Sequence, residues 1–369
     1  MKILFWTSSF LPDLGGMQWS IARLIKALYQ RGHQVTILTR LTDKPEIASN
    51  CRLIRLAGDD IPTWTINSGK WLVDNHYSFD VIHVIDFFYQ SIDSQLSYLS
   101  QVAKPSVFKI PTAGYVLKLI NSERLLKLFN QVDAFVALNS YVVVELLAAG
   151  VDTNKIHRLP NGIDPLEFSQ FGNKLAMRQS LGLPLDKVII LYVGRIVARK
   201  RLDVLVSAMK IVADNIQLVI VGSSFGQRDS TEEEIIKSIA ESNGKITFIG
   251  AKENCSPYFI ASDIQILVSE REGMPNSLLE GMSYSLPTIA SFIPGITDLI
   301  SPGVEGILVS VGNVAETAQA INMMAHDAAL RMNMGALARQ KIINDFNIND
   351  LAEKYELLYE NLKNVRNGG

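Results

Sequence analysis

Val188-Ile189-Ile190-Leu191-Tyr192-Val193-Gly194-Arg195 decides the fold. The run 188–193 is of strand length and apolar throughout. A strand with one wet face alternates, whereas a strand covered on both faces reads as a continuous apolar run. A helical stretch follows at 202–212, then a strand at 217–221 that ends in Gly222-Ser223-Ser224, then strands at 245–249 and 264–268. The same layout appears nearer the N-terminus. Residues 2–7 read as a strand, and after the loop 8–16 the apolar residues Met17, Ile21, Leu24, Ile25 and Leu28 fall at helical spacing. Gly32 stands at a plausible C-cap. Strands are expected at 34–39, 52–56, 81–85, 106–110 and 134–138, with a helix at 141–149 before Gly150.

Such alternation predicts parallel sheets with helices on both faces. A dense turn signal, Pro160-Asn161-Gly162-Ile163-Asp164-Pro165, separates the two series. At roughly 100–200 residues per domain, 369 residues suit two sheets better than one. The expected fold class is therefore α/β, with two doubly wound Rossmann-like domains and a cleft between them. The expected domains are 1–163, joined by the amphipathic C-terminal helix within 350–369, and 164–349.

Composition narrows the function. A hydrophobic fraction of 48% is ample for two cores. Thirty-five basic residues oppose 37 acidic ones, so the chain lacks the basic excess of a nucleic-acid binder. Cys51 and Cys255 make neither a metal-ligand spacing nor a disulfide framework and read as small hydrophobes. The apolar run at the N-terminus breaks at Ser8-Ser9, too early for a signal peptide, and no apolar stretch reaches about 18 residues. A cytoplasmic protein is expected.

In open parallel sheets ligands sit beyond the carboxyl ends of the strands, so the residues just after each strand carry the argument. Three clusters stand there. Gly194-Arg195, followed by Arg199-Lys200-Arg201 at the start of a helix, would hold a diphosphate; it would equally serve as a solvated charged loop. The second cluster is Ser269-Glu270-Arg271-Glu272-Gly273-Met274-Pro275-Asn276-Ser277-Leu278-Leu279-Glu280. Its carboxylates suit sugar or ribose hydroxyls, and the N–H groups of Asn276, Ser277 and Leu278 are free for an anion. An acidic first turn stabilised by the helix dipole fits the same residues. The third, Gly15-Gly16, leaves room for a ligand before a helix but is not the dinucleotide fingerprint Gly-x-Gly-x-x-Gly.

Together these clusters resemble family 4 of the glycosyltransferases over almost the whole chain. The matching stretches are Phe10-Leu11-Pro12-Asp13-Leu14-Gly15-Gly16, Arg31-Gly32-His33-Gln34-Val35 and Asn161-Gly162-Ile163-Asp164, then Gly194-Arg195 with Lys200, and Glu272 with Glu280. The resemblance implies a GT-B fold and retaining transfer of a sugar from a nucleotide-diphosphate sugar, UDP being the family's commonest carrier. It implies no metal and no cofactor. Arg195 and Lys200 would stabilise the leaving diphosphate, and Glu272, with backbone at Gly273, Met274, Pro275 and Asn276, would meet the sugar. Glu280 would take the ribose hydroxyls, Lys252 would border the base, and Gly15 and Gly16 would lie near the phosphates. The N-terminal domain would take a glycan or lipid-linked acceptor.

One departure stands out. Many members of the family carry a histidine after the strand 106–110, where this chain reads Lys109-Ile110-Pro111-Thr112-Ala113-Gly114. Thr112 can hydrogen-bond a sugar hydroxyl, and His83 is either a second acceptor-side group or a structural residue. The stretch 115–130, with Leu117, Ile120, Leu125, Leu128 and Phe129 beside Lys118, Arg124 and Lys127, fits peripheral contact with the inner face of a membrane. The alternative is a helix packed on the N-terminal sheet with snorkelling lysines. The rival functions are a GT-B sugar-nucleotide epimerase and a non-catalytic nucleotide-sugar-binding protein. A dehydrogenase would need the missing fingerprint.

Overall fold

Strand β1 (Lys2–Trp6) splits its side chains between two cores, as the period of two requires. Ile3 and Phe5 enter one cluster, and Leu4 and Trp6 the other. The computed structural model describes residues 1–13, 15–45, 50–86, 90–112, 114, 116–119, 122–168, 172–224, 234–235 and 244–367. Of the positions singled out above, Leu14, Ala113, Tyr115 and Ile120 lie outside the described residues.

The chain divides into two compact units, Met1–Gly162 with Ile348–Gly369, and Ile163–Asn347. Unit 1 holds β1, β2 (Gln34–Arg40), β3 (Arg52–Leu56), β4 (Val81–Val84), β5 (Ser106–Ile110), β6 (Ala134–Ala137) and β7 (Ile156–Arg158). They form one sheet in the order β3-β2-β1-β4-β5-β6-β7, every pair parallel. Unit 2 holds β8 (Val188–Val193), β9 (Ile216–Val221), β10 (Ile246–Gly250), β11 (Ile264–Leu267), β12 (Thr288–Ser291) and β13 (Gly306–Val309). Their order is β10-β9-β8-β11-β12-β13, again all parallel. Each sheet is α/β and doubly wound. Strand order reverses between β1 and β4 in unit 1 and between β8 and β11 in unit 2, which makes those the switch points where ligands bind.

The C-terminal helix Ile348–Asn367 belongs to unit 1 for a packing reason. Ile348, Ala352, Tyr355, Leu358 and Tyr359 make an apolar stripe at helical spacing and join Ile3, Phe5, Ile21 and Leu24 in one core. Arg31 and His33 also pair with Glu356 on that helix, at 2.5 and 3.0 Å. The basic stretch resolves toward packing. Leu125, Leu128 and Phe129 of the helix Glu123–Asn130 turn into the core, Arg124 pairs with Asp93 at 3.1 Å, and Lys127 pairs with Glu123 at 3.1 Å. Among the described residues, no helix is long and apolar enough to cross a membrane.

Candidate active site

The switch point of unit 2 is built from the turn after β8. Tyr192, fully buried in β8, donates its hydroxyl to the Arg195 carbonyl at 2.7 Å and so closes the turn through Gly194. Burial pushes the phenol well above its ordinary pKa, with Glu272 adding to the effect, so the hydroxyl remains a donor. Gly222, after β9, has φ +151°, and a Cβ there would stand 1.8 Å from the Gly194 carbonyl oxygen. Two strand-end loops therefore touch through bare backbone. Gly222→Ala is expected to cost roughly 1–3 kcal/mol from backbone strain alone. It also displaces the Gly194-Arg195 turn, which a thermal melt and a nucleotide titration on the same sample would register together.

After that turn, the short 3-10 segment Ala198–Lys200 ends at Arg201, which adopts the left-handed conformation at φ 51°. This geometry carries Lys200 inward. Its Nζ donates to Glu272 Oε1 at 2.5 Å, with the two side chains only 10% and 8% exposed. Glu272 comes from the loop after β11, so the pair spans the point where strand order reverses. The loops are also joined through backbone, Glu270 N–H donating to the Arg199 carbonyl at 2.8 Å. Arg199 Nη1 donates to the Arg271 carbonyl at 3.3 Å and stands 4.0 Å from Glu272. Gly295, at φ +84°, supports the Glu272 loop from the end of β12; a Cβ there would lie 2.1 Å from the Gly273 carbonyl oxygen.

Three cations therefore surround one carboxylate. Burial pushes the Lys200 pKa down, the Glu272 carboxylate opposes that, and Arg199 and Arg195 push it down further. Arg195 is half-buried and its pKa is likewise lowered, first by burial and then by Arg199. Among the described residues its guanidinium makes no hydrogen bond. This cluster can hold a group with several negative charges and stabilise charge that develops on it.

The helix Asn276–Ser283 follows, with Pro275 immediately before it. Met274 and Leu278 are buried beneath the loop. Here one expectation is corrected: the Leu278 N–H is not free, because it donates to the Pro275 carbonyl at 3.1 Å. A 3-10-type bond tightens the first turn, a common fate of the N–H groups at a helix start. Glu280, one turn in, lies close enough to Cys255 to push its thiol up after burial has done most of that, to about 11. The Cys255 Sγ in turn reaches the carbonyl of Lys252, so the exposed Lys252 and Glu280 border the same part of unit 2.

In unit 1, Gly15 precedes the helix Gly16–Gln30 and is extended, at φ 174°, a conformation open to any residue. Thr112 is half-buried just after β5. Before it, the fully buried Lys109 donates to Asn161 Oδ1 at 3.2 Å, and burial pushes its amine down to about 8. The acceptor-side assignment of His83 is corrected. Its ring is fully buried, 2.7 Å from the Tyr359 hydroxyl through Nδ1 and packed on Phe5 and Tyr355. Its place on β4 turns it toward the core face that the C-terminal helix covers. Burial holds its pKa well below the ordinary value, with Lys109 contributing. Tyr192, Gly222 and Gly295 escape a reading of motifs because their roles depend on which loops meet.

Residues 14–166 match the family described as Glycosyltransferase Family 4, and residues 173–341 match Glycosyl transferases group 1. The chain belongs to family 4 of the glycosyltransferases. It is a glycosyltransferase enzyme with two parallel-sheet α/β domains of the GT-B type. The D-inositol 3-phosphate glycosyltransferase of Xylanimonas cellulosilytica is 24% identical over 372 residues, covering 89% of this chain and 87% of that one. The UDP-Gal:alpha-D-GlcNAc-diphosphoundecaprenol alpha-1,3-galactosyltransferase of Escherichia coli is 29% identical over 215 residues, 57% of this transferase and 55% of that one. The crystal structure of Anabaena Alr3699/HepE in complex with UDP superimposes with a TM-score of 0.82 at 16% identity, covering 98% of this chain and 100% of that one.

Proposed function

We propose that this glycosyltransferase moves a sugar from a UDP-sugar, with retention at the anomeric carbon and without a metal ion, to a glycan or lipid-linked acceptor. The observation that carries the reading is the buried Lys200–Glu272 pair across the β8/β11 switch point, with Arg195 beside it. A diphosphate arriving there takes up the positive charge of Lys200 and Arg195 and frees the Glu272 carboxylate to accept from sugar hydroxyls. Glu280, through its two carboxylate oxygens, accepts from the ribose, and Lys252 borders the base. The bond from the anomeric carbon to the diphosphate oxygen breaks. The acceptor oxygen forms its bond on the same face, and its proton passes to the departing phosphate oxygen. No side-chain base is needed on that route, which suits a chain with Pro111 or Thr112 where many members of the family have histidine.

UDP as carrier draws support from the UDP complex of the Anabaena protein. The named substrates of the Escherichia coli relative support a lipid-linked acceptor. The test is transfer from UDP-glucose, UDP-galactose and UDP-N-acetylglucosamine in the presence of EDTA, the product's anomeric configuration read by NMR. An α-linked product from the α-donor, at a rate EDTA does not change, is expected. An inverted product, or loss of transfer with EDTA restored by a divalent cation, would overturn the retaining and metal-free parts respectively.

A further inference from the structure

The switch point of unit 1 holds a second buried carboxylate, and it is not part of the donor cluster. Asp86 follows β4, and Ser8 follows the neighbouring β1. The Ser8 N–H donates to both carboxylate oxygens, at 3.1 and 3.2 Å, and the Ser8 hydroxyl donates to Oδ2 at 2.5 Å. Asp86 is 4% exposed, and the Gln95 amide donates to its carbonyl at 3.1 Å, so both its side chain and its backbone are held. Burial pushes the carboxyl up to about 6, against the bonds from Ser8 and Thr7, which leaves it mainly the anion at neutral pH.

The bonds continue outward from Ser8 along the loop. Gln18 Nε2 donates to Ser9 Oγ at 2.9 Å, and Ser9 Oγ donates to Asp13 at 3.3 Å. Arg55, on β3, donates to the Leu11 carbonyl at 2.6 Å, and Lys44 pairs with Asp13 at 3.0 Å. Gln18 also lies over Gly15, where a Cβ would meet its Oε1 at 2.4 Å. The loop that ends in Gly15 and Gly16 is therefore fastened at its base by Asp86 and at its side by Arg55 and Lys44. The carboxyl ends of β1 and β4 are where an open parallel sheet of this order takes its ligand. The carboxylate itself is turned away from solvent, with its oxygens filled.

We propose that Asp86 is a positioning residue for glycosyl transfer, acting through Ser8 to fix residues 8–13 at the carboxyl ends of β1 and β4, where the sheet of unit 1 takes its ligand. The proposal rests on the UDP-sugar reading for the ligand, while the loop's dependence on Asp86 stands apart from it.

The test uses the full-length enzyme with Asp86→Ala, Asp86→Asn and Ser8→Ala. The amide of Asp86→Asn can still accept from the Ser8 N–H and donate to the Ser8 hydroxyl, so it keeps the loop in place. UDP release from UDP-glucose, UDP-galactose and UDP-N-acetylglucosamine gives kcat and KM, and calorimetry with UDP gives nucleotide affinity. For Asp86→Ala a fall in kcat of about ten-fold to a hundred-fold is expected, the scale of a small misplacement of a reacting group. UDP affinity stays within about three-fold of wild type, because unit 2 supplies the phosphate cations, and Asp86→Asn recovers most of kcat. A kcat in Asp86→Ala equal to wild type, or an equal loss in Asp86→Asn, would overturn the proposal. If Asp86→Ala does not fold, Ser8→Ala takes its place, with a smaller fall in kcat expected and an unchanged kcat counting against. Amide hydrogen exchange in peptides covering 8–13 is read on the same proteins. Faster exchange in Asp86→Ala than in Asp86→Asn is expected, and equal protection would overturn the proposal. A wild type that releases no UDP from any of the three donors counts against the UDP reading alone, since the exchange measurement still decides the role of Asp86.

Discussion

Lys200→Ala lowers kcat/KM for sugar transfer by roughly 10²–10³-fold, the scale on which one preorganised group facing developing charge contributes. In the proposed reaction the leaving diphosphate gains negative charge as the glycosidic bond breaks, and Lys200 is the most deeply buried cation at the switch point of unit 2, where Coulombic interactions are little weakened by water. Lys200→Arg does not restore the rate. A planar guanidinium cannot take the place of one Nζ that donates to a single carboxylate oxygen at 2.5 Å. Lys200→Ala also leaves Glu272 buried beside Arg199 at 4.0 Å as its nearest remaining ion-pair partner. Breaking a buried pair from one side costs about 3–5 kcal/mol. A Lys200→Ala/Glu272→Gln double variant separates the two effects: it recovers most of the melting temperature and none of the activity. Steady-state kinetics beside melting curves check this, and a Lys200→Ala enzyme within ten-fold of wild type contradicts it.

Tyr359→Ala unfolds unit 1 more readily, by about 3–5 kcal/mol, the range for emptying a buried aromatic site. Tyr359 has no exposed surface and packs in the core that β1 shares with the C-terminal helix. The loss also strips His83 Nδ1 of its 2.7 Å partner. Tyr359→Phe isolates that bond and costs about 1–2 kcal/mol. The readout is specific, because all four tryptophans, Trp6, Trp19, Trp64 and Trp71, belong to unit 1. Urea titration followed by tryptophan fluorescence shifts to a lower midpoint in Tyr359→Ala. An unchanged midpoint would mean that the C-terminal helix adds nothing to unit 1.

How legible all this was depends on burial. The runs 188–193 and 264–268 are buried on both faces, and their continuous apolar character marked them as strands of a covered parallel sheet. Thr288–Ser291 and Gly306–Val309 are just as much strands, but Thr, Ser and Gly among their four residues each break the apolar run that marks the others. The helix Ala328–Asp345 escaped for the opposite reason: only Met334, Gly335, Ala338 and Ile342 are buried, a narrow stripe among polar residues. At the site, Arg195, Lys200 and Glu272 stood out because each follows a strand that reads clearly. Asp86 also follows an expected strand, 81–85, but no motif surrounds it and a reading of the sequence passes over it. What no sequence pattern carries is which side chain faces which: that His83 turns to Tyr359, or that Gly222 and Gly295 hold other loops by their missing Cβ atoms.

Unit 2 is expected to bind a UDP-sugar through Lys200 and Glu280. The most direct test of that binding is a thermal-shift panel of UDP-, GDP- and ADP-sugars on wild type, Lys200→Ala and Glu280→Ala, since a ligand that binds only the folded state raises the melting temperature. The predicted result is a rise with the UDP-sugars alone, absent in both variants. A rise of equal size in the variants, or one given by GDP- or ADP-sugars and not by UDP-sugars, would contradict it.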